Sequence, residues 1–223
     1  MSRLLVAGCG RSGTAFVAKV IQAAGVPCGH ESVFHPQTRA FPLWRHYQAE
    51  ASWLCIPWLS ALVPGNIRLL HLVRDPIRCA SSFLGIGMLA SEYHHGHRLY
   101  IEHVRRVAPG VFAQDTELGR VLAYWVIWNE TIERVPHCGP TLRLEDLNAQ
   151  NGAPLAPVLG ELFGVSEAQT GEAYAAVPRN VNARRQGPSL EWEQLLDHAG
   201  PYRRRLEALA EGYGYGPNGS GAG

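Results

Sequence analysis

Lysine is almost missing from this sequence: Lys19 is the only one, and the rest of the positive charge is arginine. Any other cation that grips an anion must therefore be a guanidinium, whose planar fork suits phosphate oxygens. Net charge is small too, +1 with histidine neutral. No global field marks the chain as a nucleic-acid or membrane-surface binder, and an anion site has to be built locally. Long apolar runs are lacking. The opening run Leu4-Leu5-Val6-Ala7 is too short for a signal peptide or an anchor, and no later stretch is long enough to span a bilayer. Cysteine pairing is lacking as well: Cys9, Cys28, Cys55, Cys79 and Cys138 are an odd number, far apart, with no C-x-x-C. These absences lead to the expectation of a reduced protein of the cytoplasm, with no nucleic-acid or membrane partner.

The length of 223 residues suits one domain, expected over residues 1–215, with a flexible tail at 216–223 rich in glycine. Leu4 to Ala7 reads as a buried strand that ends at glycine. Val17, Val20, Ile21 and Ala24 then keep one helical face until Gly25. Ile67 to Val73 reads as a second strand, followed by Asp75 as a helix N-cap with Pro76 at the first helical position. Leu118, Val121, Leu122, Trp125 and Ile132 mark a long helix that Pro136 stops, and Thr141 to Leu144 is a third strand. Leu155, Val158, Leu159 and Leu162 make a further helix closed by Gly164, Ser166 with Gln169 resembles a capping box, and two more helices follow Ser189 and Pro201. Periodicity is poor over 32–64, and 85–110 is rich in histidine and glycine, so both read as partly irregular. The alternation of strands and helices predicts an α/β protein with a central parallel sheet flanked by helices.

Chemistry concentrates first at Gly8-Cys9-Gly10-Arg11-Ser12-Gly13-Thr14. A glycine loop between a strand and a helix points backbone N–H groups and the helix dipole at an anion, to which Arg11 adds a fork of donors and Ser12 and Thr14 add hydroxyls. Two other motifs overlap it. Gly8 to Gly13 has the spacing of a nucleotide-binding Walker loop, but Thr14 stands where the lysine that bridges the terminal phosphates belongs. The same residues match G-x-G-x-x-G, with Glu31 at about the distance of a ribose-binding acid, yet Val26 to Glu31 is a poor strand.

A second arginine-hydroxyl pair, Arg74 and Ser82, opens the later strand-to-helix unit. Gly10-Arg11-Ser12-Gly13-Thr14 together with Leu72-Val73-Arg74-Asp75-Pro76 and Ser82 resembles the two-part cofactor signature of sulfotransferases that use 3′-phosphoadenosine-5′-phosphosulfate (PAPS). The resemblance covers Leu4 to about Arg185 and implies a P-loop-like sulfotransferase architecture. It implies that the first loop, Gly10 to Thr14, holds the 5′-phosphosulfate, and that Arg74 and Ser82 hold the 3′-phosphate. Asn182-Ala183-Arg184-Arg185 resembles the basic loop that closes this pocket, which makes Arg184 and Arg185 candidates; a solvated basic loop is the other reading. Many family members carry lysine where this chain has Arg11, and some bacterial relatives carry arginine.

Sulfuryl transfer, like phosphoryl transfer, is an in-line displacement that depends on positioning and charge stabilisation. Arg11 would stabilise the transferring group, and a hydroxyl acceptor needs a base. Glu31 is preferred, because the resemblance implies a glutamate after the first helix; His30 is second, on its ordinary pKa. His94, His95, His97 and His103 lack a recognised ligand spacing, so no metal is assigned. The expected activity moves a sulfuryl group from PAPS to a hydroxyl of a small-molecule or carbohydrate acceptor, leaving adenosine 3′,5′-bisphosphate. A P-loop-type small-molecule kinase and a non-catalytic nucleotide-binding module are the alternatives.

Overall fold

The computed structural model describes residues 3–35, 41–62, 67–91, 97–136, 138–179 and 187–216. It is an α/β protein whose five strands form one parallel sheet, flanked by helices: β1 (Arg3–Gly8), β2 (Cys28–His30), β3 (Ala49–Ser52), β4 (Ile67–Val73) and β5 (Thr141–Arg143), in the order β2-β3-β1-β4-β5. The helices are α1 (Thr14–Ala23), α2 (Leu59–Leu62), α3 (Pro76–Leu84), α4 (Arg98–Val107), α5 (Glu117–Glu133), α6 (Leu144–Ala149), α7 (Ala156–Phe163), α8 (Glu167–Ala176), α9 (Trp192–His198) and α10 (Arg203–Gly212). No helix among the described residues is long and apolar enough to cross a membrane. The chain divides into two compact units, Met1–Val73 with Ile132–Asn182, and Arg74–Thr131 with Ala183–Gly223.

The first unit holds the whole sheet. Successive residues Leu4, Leu5, Val6 and Ala7 are all fully buried, the pattern of a parallel strand covered on both faces. Leu4 and Val6, with Leu70 and Leu72 of β4, join Phe16, Val17, Val20 and Ile21 of α1 and Leu155, Val158 and Leu159 around α7 in one apolar core. Tyr174 of α8 closes it, meeting Phe16 edge-on with ring centroids 5.3 Å apart. Gly164 ends α7 in the left-handed region at φ 70°, and the capping box at α8 forms as expected, Ser166 Oγ accepting from Gln169 N at 3.2 Å.

Two strands lie where none is expected. β2 falls within the poor strand at 26–31, and β3 within the aperiodic stretch 32–64. Neither has an apolar run, since Cys-Gly-His and Ala-Glu-Ala-Ser owe their extension to pairing, β3 with β1 and β2 with β3. Likewise α4 emerges inside the stretch read as partly irregular; only Ile101, His103 and Val104 of it are buried.

In the second unit Asp75 caps α3, its Oδ1 accepting from Ile77 N at 2.7 Å and Arg78 N at 3.2 Å, with Pro76 at the first helical position. Phe83, Tyr124 and Trp128 stack in sequence, at 5.1 Å and 4.2 Å between centroids. A forked pair joins Arg205 of α10 to Glu130 of α5, at 2.7 Å and 2.5 Å.

Candidate functional site

β1 is the strand at which the order reverses, with β3 on one side and β4 on the other, so its C-terminal end is where an open parallel sheet leaves a crevice. The glycine loop starts there. Gly8 ends β1 packed so closely that a Cβ would meet the Leu72 carbonyl oxygen and Ser12 Oγ. Ser12 N donates to Cys9 O at 3.1 Å and turns the chain; Arg11 takes φ 67°, and Gly13 takes φ 100° as the N-cap of α1. Neither side-chain cap nor first-turn acid serves α1, which leaves its opening N–H groups and positive dipole end to an outside anion. Ser12 is fully buried, and its Oγ has no hydrogen-bond partner among the described residues. A buried hydroxyl in that state is costly unless something meets it. Glycines for close approach and a guanidinium are the groups that a phosphate-type anion would need here.

His30 ends β2 and Glu31 follows at φ 55°, a left-handed conformation that costs a non-glycine residue about 1–2 kcal/mol. His30 Nε2 lies 3.4 Å from Thr14 Oγ1 at the head of α1 and 3.4 Å from Glu31 Oε1. Burial, helped by the charge of Lys19, lowers the His30 imidazole to about 4. At neutral pH the His30–Glu31 contact is therefore a neutral ring against a carboxyl group and not an ion pair. Burial raises the Glu31 carboxyl to about 7, against the Trp53 side chain that hydrogen-bonds it and the Arg11 guanidinium, both of which pull it down. The two adjacent candidates for a base are thus pushed in opposite directions, and Glu31 is the one whose proton is in balance near neutrality.

Glu50, a residue that no periodicity or motif marks, completes the cluster. It is fully buried on β3, and its Oε1 accepts from Ser32 N at 2.8 Å and Val33 N at 3.1 Å. Burial raises its carboxyl to about 7, opposed by those two amides and reinforced by the charge of Glu31. The two amides tie the residues after Glu31 to the carboxyl of β3. A lone glutamate between two alanines was the only sequence signal available.

Gly10, Arg11, Ser12, Gly13, Thr14, His30 and Glu31 are all in the first unit, gathered at the loop and the ends of β1 and β2. Arg74 and Ser82 belong to the second unit: Arg74 directly precedes the Asp75 cap, its carbonyl accepting from Trp125 Nε1 at 3.2 Å, and Ser82 lies in α3. Arg184 and Arg185 lie outside the described residues, as do His94 and His95. His71 is fully buried on β4, and Asn129 Nδ2 donates to Trp125 O at 2.8 Å within α5. A scan against models of protein families and a search of curated proteins both return no match to this chain.

Proposed function

We propose that this chain is a sulfotransferase of P-loop-like architecture that uses PAPS and delivers its sulfuryl group to a hydroxyl of a small-molecule or carbohydrate acceptor. The observation that carries this reading is the glycine loop at the end of β1, where Arg11, a buried Ser12 Oγ with no partner among the described residues and the uncapped start of α1 meet a carboxyl poised near pH 7 at Glu31. The missing Walker lysine, replaced by Thr14, argues against transfer from a nucleoside triphosphate.

PAPS supplies a sulfuryl group on a good leaving phosphate. The loop amides and Arg11 offset negative charge on the group in flight and on the departing oxygen, and they are in position beforehand. Ser12 Oγ donates to an anion oxygen, which satisfies a hydroxyl that burial otherwise strands. Glu31 takes the acceptor hydroxyl proton as the new S–O bond forms and the bond to the leaving phosphate breaks. His30, neutral between Thr14 and Glu31, orients the carboxyl.

Turnover of radiolabelled PAPS against a panel of alcohols and sugars tests the reading. Wild type is expected to label at least one acceptor, and Glu31→Gln to turn over roughly 10²–10⁴-fold more slowly, the span of a lost general base. Phosphoryl transfer from ATP to the same panel, with none from PAPS, would replace the sulfotransferase with a kinase.

A further inference from the structure

A fully buried glutamate is rare unless something holds it, and Glu50 is held on one side only. Its Oε1 is clasped by the amides of Ser32 and Val33, the two residues that follow Glu31; its Oε2 has no hydrogen-bond partner among the described residues. β2 and β3 pair so that Glu50 stands opposite Gly29, and a Cβ there would overlap Oε2. The chain from Gly29 to Val33 therefore wraps round one carboxyl group, and Glu31, at φ 55°, sits at the turn of that wrap. Nothing in the local sequence favours a left-handed glutamate, so the turn depends on what clasps the residues after it. The titratable groups about Glu50 are Glu31, Cys28 on β2 and Cys55 beyond β3; both thiols are raised by burial and by the charge of Glu50. Neither thiol ionises near neutrality, so the working pair is Glu31 and Glu50.

We infer that Glu50 is a positioning residue for the sulfuryl-transfer base: its buried carboxyl holds the amides of Ser32 and Val33 and so fixes the left-handed turn that presents Glu31 beside Arg11. The inference rests on the sulfotransferase reading. Glu50 touches neither donor nor acceptor and acts through Glu31 alone. A positioning role predicts that its loss falls on kcat and not on PAPS affinity, that an isosteric acceptor restores it, and that it has no effect once the base is gone.

PAPS hydrolysis, with water as the nucleophile, needs no knowledge of the acceptor and serves as the assay. Glu50→Ala is expected to lower kcat about 100-fold, the scale of an ångström of misplacement, with KM for PAPS changed less than about threefold. Glu50→Gln keeps the Oε1 acceptor and is expected within about fivefold of wild type, and Glu50→Ala added to Glu31→Gln costs less than about threefold more. Amide exchange at Ser32 and Val33 is expected to quicken in Glu50→Ala and not in Glu50→Gln. Should Glu50→Ala fail to fold, Glu50→Asp replaces it, with a lowered kcat at unchanged KM expected because the shorter side chain falls back from the two amides. A loss carried by KM, a Gln variant no better than Ala or Asp, or losses that multiply with Glu31→Gln would overturn the assignment. A wild type that neither binds adenosine 3′,5′-bisphosphate nor turns over PAPS would instead bring down the sulfotransferase reading, and this role with it.

Discussion

Glu31 and His30 adjoin in the chain, yet burial moves them apart: the carboxyl rises to about 7 and the imidazole falls to about 4. Desolvation disfavours whichever form is charged, so one half-buried corner makes a stronger base of an acid and a weaker base of a histidine. Turnover should therefore rise through about pH 7 as Glu31 gives up its proton, and the residual rate of Glu31→Gln should lack that limb. His30→Ala should cost less than about tenfold, since a neutral ring only orients the carboxyl. A pH–rate profile on the three proteins checks both statements; a limb that vanishes in His30→Ala and survives in Glu31→Gln would exchange the two roles. Sequence alone left both residues open, because adjacency says nothing about which side chain is desolvated.

Among the elements, those with an apolar run or a local signal were legible and those without were not. β1, β4, α1, α3, α7 and α8 show runs, stripes, caps or glycine stops that can be read one residue at a time. β2 and β3 are three and four residues long, contain Gly29, Glu50 and Ser52, and become strands only by pairing with what β1 has already placed. Glu50 was hidden for the same reason: its role comes from standing opposite Gly29 and beneath Ser32 and Val33. The loop from Gly8 to Thr14 was legible as a turn between strand and helix because its glycine signals are local. Gly13, at φ 100° with Leu144 carbons 2.8 and 2.9 Å from where a Cβ would go, should not tolerate a side chain. Gly13→Ala is expected to lower stability by about 1–3 kcal/mol and to weaken anion binding, measured by thermal denaturation and bisphosphate titration. Asp75→Ala, which removes the cap of α3, should cost about 1 kcal/mol.

For the molecule as a whole, two half-buried groups, His30 and Glu31, and two buried ones, Glu50 and His103, act on stability in opposing pairs. Glu31 and Glu50 hold protons more tightly folded than unfolded, so their contribution is present below their ordinary value of 4.5 and is lost as pH rises towards 7. His30 and His103 are lowered to about 4, so their contribution is present above the ordinary 6.5 and is lost as pH falls towards 4. The melting temperature should consequently change little between about pH 5 and 7. Glu50→Gln removes one of the two opposing carboxyls and should gain melting temperature relative to wild type as pH is raised from 5 to 8; a relative fall would mean that the Glu50 carboxyl is not raised.

The proposal that the loop at the end of β1 is an anion cradle selective for a doubly phosphorylated adenosine underlies these expectations. Thermal denaturation with adenosine 3′,5′-bisphosphate, ATP or NAD, on wild type and Arg11→Ala, measures it directly. At a hundredfold excess over Kd, the bisphosphate should stabilise wild type by about 2.7 kcal/mol, a rise of roughly 5–10 °C, with little rise in Arg11→Ala. A wild type stabilised by ATP or NAD and indifferent to the bisphosphate would contradict the account.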